Sequence, residues 1–148
     1  MISLEELQTI AEYGLFAPSA HNQQAWKFFL ISKKADLEFL GELMEFGKMI
    51  PHAWGVILAT FDQEKLRSPE FIQQDMGACI QNVLLASHAQ GFGAVWVGLY
   101  PHETEMQAIH QHFQLPEQIV PFALISLGKP EGALREKNLK TEGKIQIL

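Results

Sequence analysis

Residues 68–98 read SPEFIQQDMGACIQNVLLASHAQGFGAVWVG. This stretch predicts one long helix over Pro69–Gln90, because Ser68 is a typical N-cap, proline suits the first turn and a glycine follows the last helical position. The middle of the helix is apolar on more than one face, which is typical of a helix inside a protein or inside a subunit interface. The run Ala94–Val97 then predicts a strand, so a buried helix leads directly into the sheet.

The rest of the chain also alternates between predicted helices and strands. Ser3 and Glu6 have the spacing of a capping box, and the apolar positions that follow predict a helix ending near Tyr13. The remaining predicted elements, in chain order, are strand Trp26–Ile31, helix Ala35–Phe46 capped by Gly47, strand Trp54–Phe61, helix Glu103–His112, strand Ile119–Leu127 with Pro121 near its start, and a half-buried edge strand Lys144–Ile147. The class is α/β or α+β. The last strand needs a sheet edge, which the same chain or a partner could provide.

Composition favours a single domain with its own core and excludes several classes of partner. The chain has 148 residues, of which 47% are hydrophobic and 19% charged, and its formal net charge is −6. This charge, with no basic run longer than Lys33–Lys34, argues against binding to nucleic acid or to an anionic membrane. No apolar stretch is long enough to span a bilayer and no secretory signal is visible, so we expect a soluble, cytoplasmic protein.

The usual arrangements of catalytic side chains are missing. A single cysteine, Cys79, excludes a disulfide framework, and its position on an apolar helix predicts a packed side chain rather than a nucleophile. His110 and His112 do not share a helix face, so we expect no metal site there. Ser19 has no nucleophile elbow around it, and Gly91–Trp96 follows a helix instead of opening one, which excludes a Rossmann fingerprint.

Two loops carry unusual polar or flexible residues. Pro18–Gln24 places a hydroxyl and three carboxamides on seven residues before a buried strand. Such groups donate and accept hydrogen bonds without carrying charge, which suits a polar heterocycle, although a capped connection of turn-forming residues would also explain them. In Trp96–Pro101, Gly98 would allow a ligand to approach the backbone closely, or would simply form a turn.

Taken together, these segments resemble the FMN-dependent nitroreductase family, and the matching segments keep their order over residues 4–130. Ala17–Trp26 is similar to the family loop Ala-Pro-Ser-[small]-x-Asn-x-Gln-Pro-Trp, with Ala25 in place of the proline. The other similar segments are Asp75–Ala86 for the central helix, Gly91–Gly98 for the strand Gly-Leu-Gly-x-x-Trp-[Ile/Val]-Gly, and Leu115–Pro130 for the final core strand and its exit.

The resemblance implies a fold, an assembly and a chemistry. The fold would be an α+β three-layer sandwich, in which helices flank a central, mostly antiparallel sheet, and the protein would be an intertwined homodimer. Residues 1–148 would form one domain, with 131–148 as an extended C-terminal arm. FMN would carry electrons from NADH or NADPH to a nitroaromatic, quinone or similar acceptor, so no catalytic side chain is expected.

The same resemblance assigns a set of cofactor-binding residues. Ser19 and Asn22 would reach the flavin from the neighbouring subunit. Pro18, Ala20 and Gln24 of the same loop would also bind the cofactor. The backbone of Val97, Gly98 and Leu99 would face the flavin N5 edge, with Gly98 supplying an N–H. Lys48 would lie near N1 and O2, where a cation would stabilise the anionic reduced flavin. Arg135 and Lys137 would help to hold the phosphate.

One departure from the family keeps alternatives open. Family members usually carry an Arg-Arg-Ser-x-Arg segment before the first helix, which grips the FMN phosphate, whereas residues 1–3 contain no arginine. Arg135, Lys137 and Lys140 would compensate, or FMN would bind loosely, or the cofactor would be absent. The leading hypothesis is an FMN-dependent oxidoreductase. The alternatives are a flavin- or nucleotide-binding module without turnover, serving as a carrier, sensor or interaction protein, and a structural dimer without a ligand.

Overall fold

The computed structural model describes residues 1–132 and 138–147. Arg135 and Lys137 therefore lie outside the described residues. The helices and strands, in chain order, are α1 (Leu4–Gly14), β1 (Trp26–Ile31), α2 (Lys34–Leu43), β2 (Gly55–Asp62), α3 (Ile72–Ala89), β3 (Gly93–Gly98), α4 (Glu103–His112) and β4 (Ile119–Gly128). Short 3-10 turns occupy Ala20–Asn22, Ile50–His52, Gln63–Lys65 and Pro69–Phe71.

The four strands form one sheet in the order β1-β2-β4-β3, and every neighbouring pair is antiparallel. The central strand β2 is buried from Gly55 to Phe61, as its continuous apolar run predicts. Pro121 lies at a register shift, because Thr60 pairs with Pro121 while Ala59 pairs with Ala123. A proline cannot donate to the ladder, so an irregular position is where β4 tolerates it.

Helices cover both faces of the sheet, which confirms the α+β three-layer sandwich. On one face, α1 and α3 pack against the sheet in a cluster that includes Ile10, Met76, Ile80, Ile57 and Ile125. On the other face, α2 and α4 contribute to a second cluster, which includes Leu40, Ile109, Leu58, Val97 and Leu124. The structure contains one chain, so the intertwined homodimer stays a prediction.

The predicted end of α2 was wrong. The helix ends at Leu43 rather than at Phe46, and Met44 adopts an extended backbone with φ −96° and ψ 124°. Met44 is buried, and its carbonyl accepts a hydrogen bond from the N–H of Gly47 at 2.9 Å. A tight turn that buries Met44 therefore replaces the last predicted helical turn, and Gly47 is not a helix cap.

The predicted cap of α3 was also wrong, whereas its end at Ala89 lies within one residue of the predicted Gln90. Residues Pro69–Phe71 form a 3-10 turn, α3 begins at Ile72, and the Ser68 side chain makes no capping hydrogen bond. The backbone N–H of Ser68 instead donates to the side chain of Gln23 at 3.1 Å. Gly91, just beyond the helix, has φ +81°, the left-handed backbone that terminates helices.

The predicted edge strand at Lys144–Ile147 does not form with any residue that the structure describes. Residues 144–147 have no strand partner in the described part of the chain, and all four are exposed. Pairing with the sheet edge of a partner stays a prediction, as does the 131–148 arm. Among the described residues, no helix has both the length and the hydropathy needed to cross a membrane.

Candidate functional site

The segment Pro18–Gln24, called the polar loop below, has a strained backbone. His21, Asn22 and Gln24 have φ values of +50°, +52° and +44°. Left-handed backbone costs a non-glycine residue on the order of 1–2 kcal/mol, although asparagine tolerates it better. Three such residues within four positions persist only if the surrounding structure holds them.

Two buried side chains provide this support, and we call them the Gln23–Asp75 clasp. The Gln23 carboxamide nitrogen donates to Asp75 Oδ2 at 2.6 Å, and its oxygen accepts from the backbone N–H groups of Arg67 and Ser68 at 3.0 and 3.1 Å. Asp75 Oδ1 accepts from the backbone N–H of Ala20 at 2.9 Å. Both side chains are buried, with Gln23 7% and Asp75 5% exposed. The clasp thus joins the polar loop to the first turn of α3 with charge-assisted hydrogen bonds.

The other polar groups of the loop face outward. The Ser19 hydroxyl oxygen accepts from the backbone N–H of Gln24 at 3.0 Å, which leaves its O–H proton available to a ligand. Pro18, Asn22 and Gln24 are exposed. The loop therefore presents a hydroxyl and carboxamides on a fixed backbone, as its composition predicts.

The clasp is the part of this site that the sequence interpretation missed. Gln23 is one of the three carboxamides of the loop but is not among the predicted cofactor-binding residues, and the structure shows it buried and bonded to Asp75. The sequence contains one signal for this: Asp75 is an acidic residue beside the apolar residues of a helix expected to be buried, and a buried carboxylate requires donors.

A second polar backbone segment lies at the outer edge of β3, whose one strand partner among the described residues is β4. The N–H of Leu99 donates to the Phe122 carbonyl at 3.3 Å. Backbone groups alternate in direction along a strand, so the N–H of Gly98 is directed away from β4, toward the open edge. A Cβ atom built on Gly98 would meet no atom within 4 Å. Val97 and Leu99 are buried, so Gly98 is the residue of this trio that a ligand can reach.

A cavity of about 340 Å³ adjoins Gly98. Its lining residues are Met44, Glu45, Phe46, Trp96, Val97, Gly98, His102 and Glu105. This volume is within the range of small-molecule sites, and the lining combines aromatic rings with two carboxylates and an imidazole. Lys48 is exposed and follows this part of the chain, but it does not line the cavity.

The polar loop and Gly98 do not meet within one chain. Both lie toward the same end of the sheet, since Phe28 pairs with Ala59, Ala59 with Ala123, and Ala123 with Gly98. However, β1 and β3 are opposite edges of the sheet, and three strand spacings separate them by about 14 Å. The expected contribution of the loop from a neighbouring subunit therefore stays a prediction, as do the roles of Arg135, Lys137 and Lys48.

An apolar groove of about 500 Å³ lies between the end of α1 and α3. The residues that line it are Tyr13, Phe16, Asn82, Leu85, Ala86 and Ala89. Phe16 is 80% and Leu85 58% exposed, which is unusual for such large apolar side chains. Phe16 also lies two residues before the polar loop, so this groove and the loop occupy neighbouring surfaces.

Cys79 is packed in the core, as predicted, and is fully buried. Burial raises the pKa of its thiol to about 12. The thiol therefore stays protonated at neutral pH and cannot act as a thiolate nucleophile. Within residues 1–132 and 138–147, no group of three or more His, Cys, Asp and Glu side chains could hold a metal ion.

Comparison with known proteins gives consistent matches over most of the chain. The model of the nitroreductase family matches residues 1–55 and 44–129. A protein of Archaeoglobus fulgidus with the provisional name NADH dehydrogenase/NAD(P)H nitroreductase is 37% identical over 131 residues, which cover 88% of this chain and 75% of that protein.

Two crystal structures are similar in both sequence and fold. A Bacteroides thetaiotaomicron protein with the same provisional name superposes with a TM-score of 0.89 at 31% identity, over 99% of this chain and 86% of that one. A Desulfovibrio desulfuricans protein, provisionally named a nitroreductase and crystallised in complex with FMN, gives a TM-score of 0.77 at 30% identity. That match covers 93% of this chain and 81% of the other.

Proposed function

This chain belongs to the nitroreductase family, and from that premise we propose that it is an FMN-dependent oxidoreductase. It would transfer electrons from NADH or NADPH to a small-molecule acceptor such as a nitroaromatic compound or a quinone. The observation that carries the proposal is the open N–H of Gly98 beside a cavity of about 340 Å³. The FMN complex of the Desulfovibrio relative supports the cofactor, and the names of the other relatives support the nicotinamide co-substrate.

The residues present fit a flavin. The isoalloxazine ring is flat and carries a polar edge with both donors and acceptors, which an uncharged loop and an exposed backbone amide can match. Gly98 leaves space for the ring to approach, because a Cβ atom there would point into open volume. Aromatic side chains, including the partly exposed Trp96, provide an apolar wall beside it.

The contacts within the chain refine the roles of the predicted residues. Ser19 and Asn22 would donate or accept directly, and Gly98 would donate its N–H. The N–H groups of Ala20 and Leu99 already have partners in the chain, so these residues would shape the site rather than bond to the cofactor. Pro18, Gln24 and Val97 would likewise shape the site without bonding to the cofactor.

When bound, FMN supplies the hydride chemistry, and the protein contributes binding, orientation and exclusion of water. Lys48, Arg135 and Lys137 are proposed as the cationic residues, Lys48 near the pyrimidine edge of the flavin and the other two near its phosphate. A positive charge near the pyrimidine edge would favour negative charge on that side of the ring.

A homodimer is part of the proposal. The apolar groove exposes Phe16 and Leu85 beside the polar loop, and burying it against a second copy would remove that apolar surface from water. Because the polar loop and Gly98 are at opposite edges of one sheet, a second chain is the means by which the two could form one site.

The test is FMN binding followed by turnover. The purified protein should take up FMN, show the visible absorption of a bound flavin, and oxidise NADH or NADPH when a quinone is supplied. Failure to bind FMN at excess cofactor would contradict the proposal. FMN binding without turnover on nitroaromatic or quinone acceptors would favour the alternative function, a flavin-binding module that serves as a carrier or sensor.

A further inference from the structure

We propose that the Gln23–Asp75 clasp is a positioning device for cofactor binding. Neither side chain would touch the flavin. Instead, the clasp would hold the strained polar loop in the one conformation in which Ser19 and Asn22 can reach the cofactor. This inference rests on the proposed function and adds two residues to it.

The direction of the Gln23 side chain is the first argument. Gln23 is the buried member of the polar loop, while Asn22 and Gln24 on either side of it are exposed. Both of these neighbours have left-handed backbone, with φ of +52° and +44°. The strain therefore flanks the residue whose side chain is most firmly bonded, which is expected if that side chain holds the backbone in place.

The hydrogen bonds of Gln23 are the second argument. Its oxygen accepts two backbone N–H groups, from Arg67 and Ser68, and its nitrogen donates to Asp75 at 2.6 Å and to the Ser68 carbonyl at 3.4 Å. One carboxamide thus joins the loop to the segment that precedes α3 and to α3 itself. The placement of the loop therefore depends on contacts with two segments that are distant in the sequence.

The position of Asp75 is the third argument. It lies in the first turn of α3, next to Met76, which is fully buried in the core. The base of the clasp is therefore rigid. Its two oxygens reach opposite ends of the loop, Oδ1 the N–H of Ala20 and Oδ2 the side chain of Gln23. A helix anchored in the core thus determines where Ser19 and Asn22 are placed.

The test is to exchange the carboxamide of Gln23 and the carboxylate of Asp75 between the two positions. In Asp75→Asn alone, the new Nδ2 would face the Gln23 nitrogen, two donors in contact. In Gln23→Glu alone, two carboxylates would face each other. In the double variant Gln23→Glu/Asp75→Asn, the new carboxamide on α3 would donate to the new carboxylate of the loop, which would still accept from the N–H groups of Arg67 and Ser68. Of the bonds of the clasp, only the long one of 3.4 Å to the Ser68 carbonyl would be lost. The matched controls are Gln73→Glu and Glu70→Gln, which make similar charge changes at exposed positions of the same region.

Three measurements distinguish positioning from a general loss of structure. FMN affinity is measured by quenching of flavin fluorescence, thermal unfolding reports the global fold, and amide hydrogen exchange of residues 17–25 is followed in the flavin-free protein. Each single variant should bind FMN at least about tenfold more weakly, as expected when a buried hydrogen bond loses one partner. Each should also exchange faster in the loop, while its unfolding temperature should fall by only a few degrees relative to the controls. The double variant should recover the FMN affinity and the slow loop exchange of the wild type. It should also show the visible spectrum of the bound flavin.

The outcomes separate the role of the clasp from the proposed FMN-dependent function. Single variants that are folded and bind FMN like the wild type would overturn the role of the clasp, and so would a double variant that recovers neither affinity nor loop protection. If the single variants fail to fold, the double variant alone decides in the same way. A wild-type protein that binds no FMN would instead contradict the proposed function, while loop exchange would still show whether the clasp holds the loop.

Discussion

An added methyl group at Gly98 should separate the stability of the chain from its cofactor binding. The Cβ atom would meet nothing within 4 Å, and alanine is favoured over glycine in a strand, so Gly98→Ala should keep or raise the free energy of unfolding, by up to about 1 kcal/mol. The same methyl group would occupy the approach of a bound ring, so FMN affinity should fall about tenfold or more. Urea unfolding and fluorescence titration measure the two effects.

Gly128→Ala is the matched control for this substitution. A Cβ atom at Gly128 also meets nothing within 4 Å, and this residue ends β4 outside the cavity beside Gly98. The control should leave FMN affinity unchanged. Equal FMN affinity of Gly98→Ala and wild type would show that the ring does not approach this backbone.

The Cys79 thiol should make the folded state less stable at alkaline pH. Burial raises its pKa from 9.0 to about 12, whereas the thiol of the unfolded chain ionises near the ordinary value. The unfolded state then binds fewer protons than the folded state, so stability falls as the pH rises from about 9 to about 12. Between pH 9 and 10 the loss should be about 1 kcal/mol, because the unfolded thiol is only half ionised at pH 9.

Urea unfolding of the wild type and of Cys79→Ala at several pH values isolates this effect from other titrating groups. The variant should be less stable at pH 8, because it leaves a cavity, but its stability should fall less steeply above pH 9. Parallel pH dependence of the two proteins would mean that the thiol ionises in the folded state as readily as in the unfolded one.

For individual residues, the sequence could indicate which residue types suit a binding site, but not in which direction each side chain points. The polar loop is recognisable from its hydroxyl and carboxamides, and Asn22 is exposed while Ser19 is half-buried with its hydroxyl oxygen bonded within the loop. Gln23 is another of these carboxamides and is turned inward, because its partner Asp75 is 52 positions away along the chain. No local pattern encodes that contact.

The capping box formed by Ser3 and Glu6 should stabilise the start of α1. The Ser3 hydroxyl accepts from the Glu6 N–H at 3.1 Å, and the Ser3 N–H donates to the Glu6 carboxylate at 2.7 Å. Ser3→Ala should lower the free energy of unfolding by about 1 kcal/mol at neutral pH. The backbone and side-chain hydrogen bonds from Ser3 hold the pKa of Glu6 below its ordinary value of 4.5.

A lowered carboxyl pKa contributes stability that is present above the ordinary value and is lost as the pH falls through the folded value. The difference between wild type and Ser3→Ala should therefore shrink below pH 4.5, as half of the capping box is protonated. Urea unfolding at pH 7 and pH 3.5 measures this. A difference that does not depend on pH would mean that the Ser3 hydroxyl does not contribute to the lowered pKa of Glu6, since the backbone N–H of residue 3 still donates to this carboxylate in Ser3→Ala.

Helix ends that depend on nearby residues were predicted well. Helix ends that depend on contacts with distant residues were not. The predicted helix Glu103–His112 has the bounds of α4, and the capping box of α1 forms as expected. The end of α2 and the start of α3 were misplaced, because the turn after α2 buries Met44 and because Gln23 engages the backbone of Ser68. In both cases a tertiary contact overrides a local signal.

At the scale of the whole molecule, the sheet order explains why the site could be only half described from sequence. Order and spacing of the motifs led to the family, and the family fold follows from them. However, the polar loop precedes β1 and Gly98 ends β3, at opposite edges of a four-stranded sheet. Which of these segments meet depends on how two chains associate, and no pattern within one chain specifies that geometry.

A charge placed in the apolar groove should therefore remove both the dimer and the cofactor site. The wild-type protein should have twice the mass of a 16.7 kDa chain in solution. In Leu85→Glu, association would bury a carboxylate without a partner, so the chain should become a monomer while keeping its helical circular dichroism. FMN affinity should fall at least about tenfold when the dimer is lost, because the polar loop of one chain would no longer lie beside Gly98 of the other.

Gln73→Glu is the matched control, since Gln73 is exposed on the same helix, lies on a different face from Leu85 and does not line the groove. It should stay dimeric and bind FMN like the wild type. Light scattering measures the mass and fluorescence titration the affinity, at protein concentrations above and below the dissociation constant of the dimer. A monomeric Leu85→Glu that binds FMN with wild-type affinity would show that one chain suffices for the site, and the polar loop would then need another role.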